Sequence, residues 1–89
     1  MPRAVYKYPL QVVDEVAVSL PEGAEVLDVQ AQAETPCLWA LVDPTAATEQ
    51  RFFRLFGTGH PVAEDDLTYV GTFQLRGGVF VYHVFEKAA

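Results

Sequence analysis

Chemistry in this chain would have to come from few groups. They are two histidines, His60 and His83, one cysteine, Cys37, the acidic run Glu64-Asp65-Asp66, and six lysines and arginines. A histidine pair acting as acid and base on a phosphodiester needs both rings within reach of one scissile phosphate. It also needs a cation such as Lys7 or Arg54 to stabilise the transition state. The repeated His-x-Thr/Ser motif of two-histidine phosphoesterases is absent, because His60 is followed by Pro61-Val62 and His83 by Val84-Phe85. The plainer reading makes His60 a loop histidine holding its own turn and His83 a cross-strand histidine bonded to Thr72. No catalytic residue is therefore assigned.

Metal and thiol chemistry are no better supported. Cys37, His60 and His83 form no CxxC, HxxxH or HExxH element. The run 64–66 lacks the alternating acidic spacing of an EF-hand loop and reads as a solvated turn. Cys37, beside Leu38 and Trp39, reads as a small buried hydrophobe. Neither a metal nor a cofactor is expected. Small-anion binding is better served: Gly57-Thr58-Gly59 can turn consecutive N–H groups into one concavity, and Arg51, Arg54 and His60 are the local positive or protonatable groups. No GK[ST] follows the glycines and no GxGxxG is present, so neither a Walker loop nor a Rossmann fingerprint is claimed. The competing reading is a strand end that needs glycine for backbone geometry.

The elements that must position these groups are strands. Period-2 alternation interrupted by turn residues predicts strands at 4–8, 15–20, 25–33, 37–42, 49–58, 68–76 and 79–86. Val16, Val18 and Leu20 share one face. So do Leu27, Val29, Ala31 and Ala33, opposite Asp28, Gln30 and Gln32. The continuous run CLWALV reads as a central strand covered on both sides. Residues 45–56 also fit a short helix between Pro44 and Gly57, but the aromatic-rich RFFRLF favours a strand. Gly77-Gly78 signals a two-residue hairpin, in which Arg76 faces Val79, Leu75 faces Phe80, Gln74 faces Val81, Phe73 faces Tyr82, Thr72 faces His83 and Gly71 faces Val84. Its core face would then carry Tyr69, Phe73, Leu75, Phe80, Tyr82 and Val84. The other face mixes Thr72, Gln74, Arg76 and His83 with Val79, Val81 and Phe85. The expectation is a single all-β or nearly all-β domain over 1–89, a small antiparallel sandwich or barrel of six to seven strands ending in a hairpin.

Composition narrows the partners. Of the 89 residues 51% are hydrophobic, more than one small core easily hides, so a homo-oligomer is expected. With one cysteine no internal disulfide is available. The net charge of −6 and the lack of a Lys/Arg cluster argue against nucleic acid. No apolar run approaches 18 residues and MPRAVYKYPL has no signal-peptide pattern, so the chain reads as cytoplasmic rather than membrane-bound or secreted. The candidate binding surface is the 57–61 turn plus the polar hairpin face: Gly57, Thr58, Gly59, His60, Arg51, Arg54, Thr72, Gln74, Arg76 and His83.

The segments Tyr6-Lys7-Tyr8-Pro9-Leu10, Pro36-Cys37-Leu38-Trp39-Ala40-Leu41-Val42-Asp43-Pro44, Phe56-Gly57-Thr58-Gly59-His60-Pro61, Gly71-Thr72-Phe73-Gln74 and His83-Val84-Phe85-Glu86 carry a resemblance. Taken together, over residues 5 to 86, they resemble a family of small uncharacterised proteins encoded in tailed phages and prophages. The resemblance implies a viral accessory protein in the host cytoplasm rather than a metabolic enzyme. Such proteins commonly bind, sequestering a nucleotide messenger of host defence or inhibiting a host enzyme. The first expectation is a homo-oligomeric trap for a small anionic or nucleotide-type ligand. The alternatives are a module that docks on a host protein or virion component, and a two-histidine hydrolase.

Overall fold

Alternating apolar and polar residues become seven strands in the computed structural model, which describes residues 2–88. They are β1 (Ala4–Pro9), β2 (Glu15–Pro21), β3 (Glu25–Gln32), β4 (Thr35–Val42), β5 (Thr48–Gly57), β6 (Leu67–Leu75) and β7 (Phe80–Lys87). A three-stranded sheet, β1-β4-β3, faces a four-stranded sheet, β2-β5-β7-β6, and every pairing is antiparallel. The result is sandwich-like rather than a closed barrel. The ambiguous 45–56 stretch is a strand because Phe53 and Arg54 find ladder partners on both sides, in β2 and in β7.

The inner faces carry the core. Leu38, Ala40, Val42 and Val29 of one sheet meet Leu20, Phe53 and Val84 of the other, all fully buried. The run CLWALV is the central strand of its sheet, as expected, but the second sheet covers only one face: Leu38, Ala40 and Val42 are buried, whereas the outward Trp39 and Leu41 are half-buried. Two edge strands, β3 and β6, close one side of the sandwich. There a Cβ built on Gly71 would stand 2.8 Å from Val29 Cγ1.

Four expectations are corrected, all by backbone irregularity. A bulge between Val26 and Asp28 turns Val26 inward and leaves Leu27, predicted as core, 45% exposed. A second bulge between Tyr69 and Gly71 sends Val70 to the core. Tyr69, also predicted as core, moves to the outer face opposite Phe85. The hairpin ladder runs in the expected register from Gly71↔Val84 to Leu75↔Phe80 and stops there. Arg76 and Val79 do not extend it: Arg76, Gly77 and Gly78 all have positive φ and form a short 3₁₀ turn, closed by the Val79 N–H donating to Arg76 O. Glu34 Oε1 accepts the Arg76 N–H at 2.7 Å and so anchors this strained tip. With the ladder ended, Phe80 projects and is 43% exposed rather than core.

Two inward positions are charged. Arg51, opposite Val18, and Glu86, opposite Phe53, sit at the end of the inner face as a bidentate pair, with Nε to Oε2 at 2.5 Å and Nη2 to Oε1 at 2.8 Å. Arg51 Nη1 also donates to Ala24 O at 2.6 Å, and the bond to Glu86 holds the guanidinium protonated more firmly than usual. Both side chains are about four-fifths removed from water. Glu86→Gln should therefore cost about 2 kcal/mol in a urea titration, less than the 3–5 kcal/mol of a fully buried broken pair because some solvent remains.

The turn that separates β4 from β5 makes a separate pH prediction. Thr45 Oγ1 and then its N–H donate to Asp43 Oδ1, and together they lower the Asp43 carboxyl pKa below its ordinary value. A depressed folded-state value means the turn bonds contribute fully above the unfolded-chain value of about 3.9 and are lost as pH falls through the lower folded one. Carboxyl ¹³C titration should place Asp43 below that reference, and Thr45→Val should return it upward.

Candidate functional site

Antiparallel pairing on both sides of β7 makes β5 and β6 parallel, so the 58–66 connection must cross the sheet. It crosses on the outer face. Thr58 meets His83, and Glu64 pairs with Arg54, both residues being on that face by register. Phe56, although outward-facing, is only 8% exposed, as expected for a ring beneath this segment. Arg54 lies over the Phe56 ring at 5.0 Å and donates through Nε to Asp14 O. The second carboxylate oxygen of Glu64, Oε2, is buried without a hydrogen-bond partner among the described residues.

Beside it, His83 is held at both nitrogens. Nε2 is 2.7 Å from Thr58 Oγ1 and Nδ1 is 2.9 Å from Thr72 Oγ1, which in turn shares a hydrogen bond with Tyr69 OH at 2.6 Å. The Tyr69 ring meets Phe85 edge-on at 5.5 Å, and Phe85 meets Phe56 at 5.8 Å. The cross-strand bond from His83 to Thr72 is the one the register requires, and its partners on the other side tie the crossover to the sheet.

His60 is placed elsewhere. A turn closed by the His60 N–H donating to Gly57 O, with Gly59 at φ +87°, swings the imidazole against Gly57; its Cε1 is 3.0 Å from where a Gly57 Cβ would be. That Cβ direction is inward, since Phe53 and Leu55 precede Gly57 on the core-facing side of β5. The four-stranded sheet therefore separates His60 from His83. The shared cleft that a two-histidine hydrolase requires is not formed.

At this end of the sandwich β5 stops at Gly57 while the hairpin continues. The gap is an open groove of about 430 Å³ lined by Gly57, Thr58, His60, Val79, Phe80, Val81 and Tyr82. Smaller hollows adjoin it around Tyr82, one bounded by Val12, Val13 and Asp14, the other by Glu34 and Arg76. The apolar side chains here stay in water: Val12 is 42% exposed, Val13 44% and Val79 72%.

A family model, a domain of unknown function (DUF7352), matches residues 1–89. The chain belongs to that family. No curated protein and no solved structure matches it.

In this DUF7352 chain the ten sequence-predicted residues divide into four places. Gly57, Thr58 and His60 border the groove, and Gly59 provides the turn that aims His60. Arg76 sits at the hairpin tip with its guanidinium 5.7 Å over the Phe80 ring, in the adjoining hollow. Thr72 and His83 belong to the outer-face network, while Gln74 lies exposed on the same strand with its amide against Gly78. Arg51 and Arg54 do not join His60. They lie on opposite faces of β5, each paired with a carboxylate. Lys7 is on the other sheet, donating to Gln32 Oε1.

Sequence reading missed Tyr69 in the DUF7352 network because the bulge reverses its side. It also missed Phe80 and Tyr82 as groove walls and Val12 and Val13 as walls of the adjoining hollow. The available signal was Val79-Phe80-Val81 directly after two glycines, three apolar residues where one face can be core. Cys37 is buried, its thiol directed to Thr35 O. No cluster of His, Cys, Asp or Glu able to hold a metal ion occurs among the described residues, and no helix is long and apolar enough to cross a membrane.

Proposed function

We propose that this chain is a non-catalytic binding module that holds a segment of a protein partner in the groove at the hairpin end. The observation that carries the reading is the grouping of Val12, Val13, Val79 and Phe80, each more than two-fifths exposed, around two adjoining hollows that share Gly57, His60 and Tyr82. Water-exposed apolar side chains gathered in one place favour an apolar partner surface. A net charge of −6, with Asp14 and Glu34 at the groove margins, favours a basic one. The engagement of Arg51 and Arg54 in ion pairs counts against an anion trap built from them.

A nucleotide-type anion is the second reading, favoured by a groove volume in the small-ligand range with His60 on its wall and Arg76 beside it. The resemblance to phage and prophage proteins suits either occupant. The same proposal has the module self-associating in the host cytoplasm, with exposed Val5, Tyr6, Leu27 and Phe52 as surface for a second copy.

Native mass spectrometry of the protein purified gently from its producing host, beside Phe80→Glu, tests the proposal. The expected result is a released polypeptide in the wild type that is absent from the variant. A released nucleotide would transfer the groove to the second reading, and a cargo retained equally by Phe80→Glu would remove the groove from both.

A further inference from the structure

The structure assigns the groove a way of binding: we infer that an extended peptide segment, apolar on alternate residues and carrying lysine or arginine, adds as a strand to the free edge of β7. The inference rests on the protein-partner reading above. Its basis is a missing piece of ladder. On the β6 side β7 is paired up to Phe80, through Leu75↔Phe80 and Gln74↔Val81. On the β5 side pairing ends at Gly57↔Tyr82, because the 57–60 turn carries the chain away. In an antiparallel ladder the main-chain groups of successive residues point to alternate sides. In either phase at least one N–H, that of Phe80 or of Val81, faces the vacated place beyond Gly57↔Tyr82, the last β5–β7 pair.

The groove occupies the position that two more residues of β5 would have filled. An occupant that merely stacked on Phe80 would leave this donor unsatisfied, whereas a peptide carbonyl satisfies it and continues the sheet. Alternation follows from the two walls. One side of the added strand faces Tyr82 and the Val12-Val13 hollow, the other faces Thr58 and Val81. The cationic residue follows from charge: Asp14 lines the hollow beside the groove on a chain of net charge −6, so the Lys or Arg of the added strand is placed toward Asp14 and away from Arg76, which shares the other hollow with Glu34. Only two ladder positions are free, so main-chain pairing sets register and direction while the apolar contacts carry most of the affinity.

The test is selection of a displayed random twelve-residue peptide library on the wild-type protein with counter-selection on Phe80→Glu, followed by synthesis of the enriched peptides with single N-methylated amides. Amide exchange of ¹⁵N-labelled protein is then read with each peptide. The expected result is enrichment of sequences with apolar residues at i and i+2 and at least one Lys or Arg. The Phe80 or Val81 amide should gain at least tenfold in protection, and one N-methylation should weaken binding at least tenfold. Enriched peptides without alternation, or peptides whose N-methylated forms all bind equally and leave both amides unprotected, would overturn strand addition while leaving the groove as the partner site. If no sequence survives counter-selection, strand addition and the protein-partner reading fall together.

Discussion

Gly71→Val lowers the unfolding free energy by about 3 kcal/mol and broadens the amide spectrum of β3 and β6, on the following reasoning. Even the first added carbon would stand 2.8 Å from Val29 Cγ1 and 3.3 Å from Asp28 Oδ1. Val29 is fully buried and Asp28 Oδ1 already accepts the Val29 N–H, so neither neighbour is a free side-chain end able to swing aside. Overpacking a filled interior costs typically about 1–3 kcal/mol, and valine adds two further methyls to an already impossible contact. Urea denaturation gives the number. A Gly71→Ala variant should fall between valine and wild type. Equal stability of all three would show that β3 and β6 are not in close contact, and with that the sandwich would lose its closed side.

Phe53→Ala should cost about 4 kcal/mol, in the range of roughly 3–5 found for fully buried phenylalanine. Phe53 is fully buried and, with Arg54, is where β5 pairs simultaneously with β2 and β7, so it joins three strands and packs between the sheets. A chain of this length holds roughly 4–13 kcal/mol of stability at roughly 0.05–0.15 kcal/mol per residue. At the lower end the variant would be substantially unfolded at 25 °C. Thermal melting followed by far-UV circular dichroism checks it. A Tm within a few degrees of wild type would mean that Phe53 is not central to the packing.

Both predictions depend on how two sheets meet, and that is where sequence and structure diverge. Local alternation was enough for strand positions. The 15–20 and 37–42 runs appear almost unchanged, and the hairpin register from Gly71↔Val84 to Leu75↔Phe80 follows from two glycines that can take positive φ. The failures fall at Leu27 and Tyr69, beside bulges, and at the hairpin tip, where Arg76 and Val79 leave the ladder and Phe80 is exposed. A bulge adds one residue to one strand only, and nothing in a period-2 pattern marks which residue is extra. The candidate site was legible in part for the same reason. Gly57 to His60 and the His83 to Thr72 contact are local or set by register, whereas the partners of Arg51 and Arg54 are Glu86 and Glu64, carboxylates brought there by a cross-strand pairing and by a crossover.

By itself the sequence determined the all-β class, six to seven strands, a central apolar strand and a glycine hairpin, because side-chain alternation and turn chemistry act between near neighbours. Only the tertiary structure decided that β5 ends two residues short of β7's hairpin, that the crossover covers Phe56, and that the two histidines lie on opposite faces of one sheet. These depend on which strands become neighbours. Burial of the whole apolar surface selects that arrangement at once, and no short stretch of residues encodes it.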